Sequence, residues 1–298
     1  MQTPLRRTAR VVALAALGAG LLAGCGDDDE PAAGDSSPSA SPSTSASASG
    51  PATPTTPGRP AVIPVYYVGD TPQGDRLFRE FTQASGVDPL VAAAAAVTSG
   101  DPVDPDYRTL WPTGRFASVV RTSEAIVVEL PDRTWLTRGS LDAERARLAV
   151  QQLVHTLQGV AAKRLPVRVT LDGKPAPTLL GVDASDGLTA GPELDTLALV
   201  NVTEPAEGSV VGDEITATGR ASSFEATVPW TIADSTGKVV QQGFATAEGW
   251  MDKLYPWTTT IDVSSLAPGR YTLTAATDDP SDGEGGGPTE DTKRITVE

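Results

Sequence analysis

Two side chains that commonly carry proton or group transfer occur once each in this chain, His155 and Cys25. A single histidine and a single cysteine exclude a multi-histidine or multi-cysteine metal site, and a lone thiol excludes a disulfide within the chain. His155 lies in a segment with apolar residues at helical spacing. At about 100° per residue it points away from the apolar stripe. We therefore expect a solvent-facing histidine; the alternative is a general base.

The acidic segment 278–291 is the one candidate metal site. It offers hard oxygen ligands that suit calcium, namely Asp278, Asp282, Glu284, Glu290 and Asp291. Pro280 and Thr289, however, fall on the third and twelfth ligand positions of an EF-hand, so the segment does not fit that motif. We expect a solvated loop and predict no metal ligand and no cofactor.

No other motif indicates catalysis. The sequence has no phosphate-binding loop with its lysine, no Gly-x-Ser-x-Gly and no His-Glu-x-x-His. Carboxylates are numerous, so a pair acting on glycans stays open as an alternative. Trp250, Tyr255 and Trp257 could line a glycan- or protein-binding patch, or they could close the open end of a β-sandwich. We predict no catalytic residue and a protein that is not an enzyme.

The charge balance excludes several classes of partner. There are 23 Lys and Arg against 38 Asp and Glu, for a net charge of -15. Binding to nucleic acid needs clustered basic residues, so we predict no nucleic-acid partner. The same balance argues against attachment to anionic lipid through basic residues.

The N-terminus predicts export. Arg6, Arg7 and Arg10 precede an apolar run over residues 11–23, the pattern of a secretory signal. The apolar run is too short to span a bilayer comfortably as a mature helix. Whether export uses the general or the twin-arginine route is left open.

The end of this segment resembles the bacterial lipobox in Leu22, Ala23, Gly24 and Cys25. The resemblance implies that Cys25 is diacylated through its sulfur, with palmitate as the expected acyl group, and becomes the mature N-terminus. Two acyl chains hold a protein firmly on a membrane. The predicted location is the extracytoplasmic face of the cell membrane, with the membrane itself as a partner through Cys25.

Composition divides the chain into four parts. Residues 25–58 are nearly all Ser, Thr, Pro, Ala, Gly and acidic residues, so they cannot bury enough apolar surface to order themselves. The predicted parts are a lipoprotein signal peptide over 1–24, a disordered tether over 25–58, an α/β domain over 59–196 and an all-β domain over 197–298.

The 59–196 region predicts an α/β sandwich in the order β-α-β-β-α-β, with helices on one face of the sheet. Strands are expected at 61–68, 116–121, 125–130 and 167–171. One helix should begin at Asp88-Pro89 and end at Gly100, and a second should begin near Ser140. The segment around Leu77, Phe78 and Phe81 fits either one turn of helix or an extended segment.

This region resembles the GerMN domain of sporulation and germination lipoproteins. The resemblance rests on segments 64–68, 88–90, 107–109, 112–114, 125–130, 151–158 and 167–173. It implies protein–protein interaction, because GerMN domains are similar to ring-building modules of sporulation membrane complexes. Such lipoproteins occur widely in actinobacteria, and the Ala-rich, Arg-over-Lys composition suits such a source.

Seven short strands separated by turn signals predict a β-sandwich over 197–298. Trp230 is the expected core aromatic and Tyr271 the expected corner residue. The stretch resembles the immunoglobulin-like domain of bacterial spore germination proteins, on segments 204–208, 219–221, 224–226, 243–244, 256–257, 266–271 and 278–285.

Together these features predict a lipid-anchored, non-enzymatic assembly module of the cell envelope with an unidentified envelope protein as partner. Two alternatives remain. One is a cell-wall-active enzyme or its regulator, and the other is a sensor of a small ligand.

Overall fold

A computed structural model describes residues 60–280, 283–284 and 286–298. The predicted signal peptide, the lipobox with Cys25 and the whole tether over 25–58 lie outside these described residues, as does Asp282 of the acidic segment.

A long β-hairpin opens the first domain. Strands β1 (Ala61–Thr71) and β2 (Gly74–Ala84) pair antiparallel over their whole length. The sequence does not distinguish a strand from a helical turn at β2, because Leu77 and Phe78 are adjacent apolar residues and a half-buried strand alternates apolar with polar residues. Both are buried because the hairpin is covered on both faces, Leu77 and Phe78 lying in different apolar clusters. The predicted order β-α-β-β-α-β is therefore wrong at its start, since the chain begins β-β-α, and it also omits the short strands that follow residue 171.

Two helices carry the caps that the sequence indicates. Helix α1 (Pro89–Ser99) begins at Asp88, whose Oδ1 accepts a hydrogen bond from the Leu90 amide at 2.8 Å, and ends at Gly100 with φ of 74°. Helix α2 (Ala143–Ala161) is capped by Asp142. Among the described residues, no helix has both the length and the apolar character needed to cross a membrane.

A four-stranded sheet completes the framework of the first domain. Its order is β3 (Ser118–Arg121), β4 (Ile126–Glu129), β5 (Val167–Leu171) and β6 (Lys174–Pro175). β4 and β5 are parallel and are connected through α2, while the other pairs are antiparallel. Short elements follow: β7 (Thr178–Leu179), β8 (Val182–Asp183) and α3 (Glu193–Thr196), and a 3₁₀ turn (Arg133–Leu136) precedes α2.

The second domain is all-β, as expected. Its strands are β9 (Val200–Glu204), β10 (Ser209–Val211), β11 (Glu214–Ala221), β12 (Thr227–Asp234), β13 (Val239–Thr246), β14 (Tyr255–Asp262), β15 (Gly269–Ala276) and β16 (Glu290–Val297). One sheet has the order β10-β16-β15-β12-β13 and the other β14-β11-β9. The sequence missed β10, a three-residue strand that pairs parallel with β16.

The aromatic core residue of this sandwich is Trp257 rather than Trp230. Trp257 is 3% exposed, whereas Trp230 is half-buried. Trp230 pairs with Gly243 on the edge strand β13, and its indole lies over that glycine at the margin of the core. Tyr271 does occupy a corner, because its hydroxyl donates to the Ala267 carbonyl at 2.8 Å, four residues upstream as in tyrosine corners.

Candidate functional site

His155 lies in the interior and does not face solvent. It is 7% exposed, its ring lies 5.3 Å from the Tyr66 ring, and its Nε2 has no hydrogen-bond partner among the described residues. His155 points away from the apolar stripe of α2, but it is not exposed, because β1 covers that side of the helix. Burial lowers the pKa of His155 to about 4, with a further lowering from Arg164. A neutral imidazole enclosed in this way is not presented to a solvent-borne substrate.

The acidic segment is divided between different surroundings. Asp291 is buried in β16, Glu290 on the same strand is exposed, and Asp278 is half-buried. Within the described part of the chain, no group of three or more His, Cys, Asp or Glu side chains is arranged to hold a metal ion.

An apolar cluster joins the two domains, which belong to one compact unit. This interdomain apolar cluster consists of Tyr66, Val68, Leu77, Leu148, Leu197 and Leu254. Leu254 comes from the loop between β13 and β14, and the others come from the first domain and its connection. The segment that connects the domains runs alongside β2 and pairs with its edge, since the Ala198 amide donates to the Leu77 carbonyl at 2.9 Å.

Beside this cluster, a buried amine lies among acidic groups of both domains. Lys293 Nζ of β16 donates to Asp104 Oδ2 at 2.6 Å, to Asp291 Oδ1 at 2.9 Å and to the Tyr107 hydroxyl at 2.8 Å. Asp104 and Tyr107 come from the loop after α1. We call these four residues the Lys293 cluster. The side chains of Lys293, Asp104 and Asp291 are 5%, 1% and 1% exposed.

Burial and charge act against each other in the Lys293 cluster. Burial alone would lower the pKa of Lys293, but Asp291 and Asp104 raise it above its ordinary value. Burial raises the pKa of Tyr107 well above its usual range, and the charge of Asp291 adds to this effect. The phenol is therefore a neutral donor, and its hydroxyl donates to Asp291 Oδ1 at 2.7 Å.

On another side of the join, Glu193 of α3 links both domains. It accepts from Arg164 of the first domain at 2.9 Å and from Arg220 of β11 at 3.1 Å. Arg220 also donates to the Leu254 carbonyl at 2.6 Å. These bonds fix the base of the loop that carries Leu254.

An exposed aromatic cluster of the second domain lies where the tip of that loop meets the 3₁₀ turn Phe224–Ala226, between β11 and β12. The rings of Phe224 and Trp250 meet edge to face at 5.1 Å. Phe224, Trp250 and the neighbouring Met251 are 39%, 37% and 66% exposed. We call these three residues the aromatic tip. Of the three aromatics named from the sequence, only Trp250 belongs to it, because Trp257 is core and Tyr255 is half-buried.

The backbone at Met251 of the aromatic tip, and at the two residues after Phe224, is held in a conformation that side chains usually avoid. Met251 has φ of 85°, and Glu225 and Ala226 have φ of 49° and 61°. The Met251 amide donates to Ser222 Oγ at 3.1 Å. Such positions cost of order 1–3 kcal/mol each and cluster at functional sites.

An acidic rim surrounds the aromatic tip. Glu225, Glu248 and Asp252 are exposed beside it, and Asp252 accepts from the Tyr255 hydroxyl at 2.7 Å. Lys253 is the adjacent cation, and it lies 4.8 Å from the centre of the Tyr255 ring. The tip therefore presents apolar surface within a mostly negative border.

The comparisons with known proteins agree with the two-domain organisation. Residues 64–177 match the family described as sporulation and spore germination, Germane, and residues 199–284 match Gmad2, the immunoglobulin-like domain of bacterial spore germination. Among curated proteins, none matches the chain.

Solved structures show partial likeness. The chain is similar to the tandem GerMN domains of the sporulation protein GerM from Bacillus subtilis, with 14% identity, 68% of this chain and 62% of that chain covered, and a TM-score of 0.35. It is also similar to CopC from Methylosinus trichosporium OB3b, with 26% identity, 33% and 93% covered, and a TM-score of 0.23. A Jonesia denitrificans lytic polysaccharide monooxygenase matches with 14% identity, 32% and 60% covered, and a TM-score of 0.22. The chain thus spans less than two thirds of the GerM and monooxygenase structures.

The two family matches fall on the two domains whose cores and sheets are described above. Residues 64–177 therefore carry a domain that matches the Germane family of sporulation and spore germination, and residues 199–284 carry one that matches Gmad2, the immunoglobulin-like domain of bacterial spore germination.

Proposed function

We propose that this protein is a lipid-anchored, extracytoplasmic interaction module of the cell envelope without enzymatic activity, and that the aromatic tip is its docking surface. The observation that carries this proposal is the exposure of Phe224, Trp250 and Met251 where a 3₁₀ turn after β11 meets the β13–β14 loop, both with a constrained backbone. Tryptophan and other aromatic side chains contribute most to binding energy at protein interfaces.

The charge of the border selects the kind of partner. Glu225, Glu248 and Asp252 would repel an anionic lipid surface but would attract basic side chains. We therefore propose an envelope protein with an apolar pocket surrounded by Lys or Arg. Leu254, buried at the base of the same loop, holds the tip against the join between the domains, which lowers the ordering cost of binding.

The lack of enzymatic activity is proposed from the state of the single imidazole. His155 is enclosed and uncharged near neutral pH, and the Asp104 and Asp291 carboxylates are engaged by Lys293. The lipid anchor is proposed from Cys25 and its lipobox. It predicts that Cys25→Ala releases the chain from membranes or leaves its signal peptide attached.

The test uses the full-length protein in its native cell, with chemical crosslinking and mass-spectrometric identification of neighbours. Trp250→Ser should lose the principal envelope-protein adduct. Phe244→Ser is the matched control, because Phe244 is 68% exposed on strand β13 and should leave the adduct unchanged. An adduct that survives Trp250→Ser would refute the aromatic tip as the docking surface.

A further inference from the structure

We propose that Lys293 and Asp104 are joined by an amide bond between their side chains, so that the two domains are linked covalently as well as through the connecting segment. The observation behind this proposal is the closeness of a buried amine and a buried carboxyl from different domains. Lys293 Nζ lies 2.6 Å from Asp104 Oδ2, with side chains that are 5% and 1% exposed. This contact places the amine against the carboxyl group whose carbon it would attack, and reacting atoms in productive geometries are roughly 3–3.5 Å apart.

The surroundings supply the proton acceptor that such a reaction needs. Asp291 Oδ1 accepts from Lys293 at 2.9 Å, so it can receive a proton from the ammonium group. Its position is fixed independently, because Oδ2 accepts from the Val202 amide at 2.6 Å and from Asn201 Nδ2 at 2.9 Å. Tyr107 Oη lies 2.8 Å from Lys293 Nζ, and its ring centre is 4.7 Å from the amine.

The reaction starts from one protonation state of this group. One ammonium and two carboxylates would leave a net negative charge in a buried site, which is costly. The state with one further proton, placed on Asp104, is neutral and holds an ammonium group, a carboxylic acid and the Asp291 carboxylate.

The step from this state balances without any co-reactant. Lys293 passes one proton to the Asp291 carboxylate, and the neutral amine attacks the side-chain carbonyl carbon of Asp104. The new carbon–nitrogen bond forms, the carbon–oxygen bond to the hydroxyl group breaks, and that hydroxyl leaves as water with a second proton from the nitrogen. The products are the amide, one water molecule and a protonated Asp291.

The position of the pair lowers the barrier to the reaction, and its burial keeps bulk water, which hydrolyses amides, away from the bond. Both groups are held in place by the fold, and intramolecular reactions in such geometry reach effective molarities on the order of 10⁵–10⁸ M. Glu80 fixes the Asp104 loop, since its carboxylate accepts from the Val103 and Asp104 amides at 3.1 and 2.9 Å. Between Asp104 and Asp291 the amine would choose Asp104, which is the nearer of the two and accepts fewer other hydrogen bonds.

A tryptic digest of the full-length protein tests the proposal. Residues 80–108 contain no internal Lys or Arg and include Asp104, and residues 271–294 contain Lys293 followed by Arg294. A bond at Lys293 blocks cleavage after it. The expected product is a branched peptide of 80–108 and 271–294 whose mass is the sum of the two less one water molecule.

Three variants assign the chemistry. Lys293→Arg keeps the positive charge but removes the amine nucleophile and should abolish the branched peptide. Asp291→Asn keeps both bonded residues and should also abolish it, because the proton acceptor is lost. Lys253→Arg, at an exposed lysine, should retain it. The wild-type digest decides by itself: separate peptides 80–108 and 271–293 from folded protein would overturn the proposal, and a branched peptide in Asp291→Asn would overturn the role of Asp291.

Discussion

The buried imidazole of His155 makes the stability of this protein sensitive to mild acid. Its pKa falls from 6.5 to about 4 on folding, chiefly through burial. In the unfolded chain His155 becomes protonated as the pH falls below about 6.5, whereas in the folded protein it stays neutral down to about 4. Stability is therefore complete above pH 6.5 and is progressively lost between pH 6.5 and 4.

The size of this loss follows from the shift. One pKa unit corresponds to about 1.4 kcal/mol, so the drop to about 4 predicts a loss of about 3 kcal/mol from His155 alone. Arg164, Glu193 and Arg220 act on the imidazole electrostatically. Although burial opposes it, Arg220 and Arg164 lower the pKa of Glu193 below its ordinary value.

The assay is urea unfolding followed by tryptophan fluorescence between pH 7.5 and 4, comparing the wild type with His155→Gln. Carboxylates that also titrate contribute equally to both proteins, so the difference isolates the imidazole. Between pH 6.5 and 4, we expect the free energy of unfolding to fall by about 3 kcal/mol more in the wild type than in His155→Gln. Arg147→Gln, at an exposed position of the same helix, should follow the wild type. Parallel pH profiles for wild type and His155→Gln would refute the buried, neutral histidine.

Two further predictions concern the β-sandwich. Gly243→Ala should cost about 1–3 kcal/mol of stability, because a Cβ there would lie 2.4 Å from Cζ2 of Trp230. Gly212→Ala, where nothing lies within 4 Å, should be nearly neutral in the same thermal melt, and equal effects would contradict the packing argument. Tyr271→Phe should cost about 1 kcal/mol by removing the hydrogen bond to the Ala267 carbonyl; an unchanged urea midpoint would show that the corner bond adds nothing.

Features encoded by neighbouring residues could be predicted from the sequence. Asp88 and Pro89 specify the start of α1 and Gly100 its end through capping and backbone preference alone, and the structure confirms all three. The turn at Asp172-Gly173 is of the same kind, with φ of 53° and 71°, as a two-residue hairpin requires.

Features that depend on what covers a surface could not be predicted in this way. Leu77 and Phe78 look unlike a strand because each faces a different buried surface. His155 looks exposed until β1 is placed beside it. In each case the burial comes from a part of the chain that local periodicity does not reach.

The Lys293 cluster was missed for a related reason. Lys293 and Asp104 are 189 residues apart, and no spacing rule connects them. A signal was nevertheless present in β16, where Asp291, Lys293, Ile295 and Val297 are all buried at alternate positions. Extending the predicted strand 295–297 backwards by four residues would have placed a lysine and an aspartate on the core-facing side, which calls for partners.

The position of Leu254 has a consequence for anyone dissecting this protein. A polypeptide that ends at residue 198 would keep Tyr66 and Leu77 but lose Leu254, which packs against them. The apolar surface that the second domain normally covers would then be exposed to water. Such a fragment should aggregate on expression or be degraded. Its aggregation would not show whether the first domain folds in the intact protein.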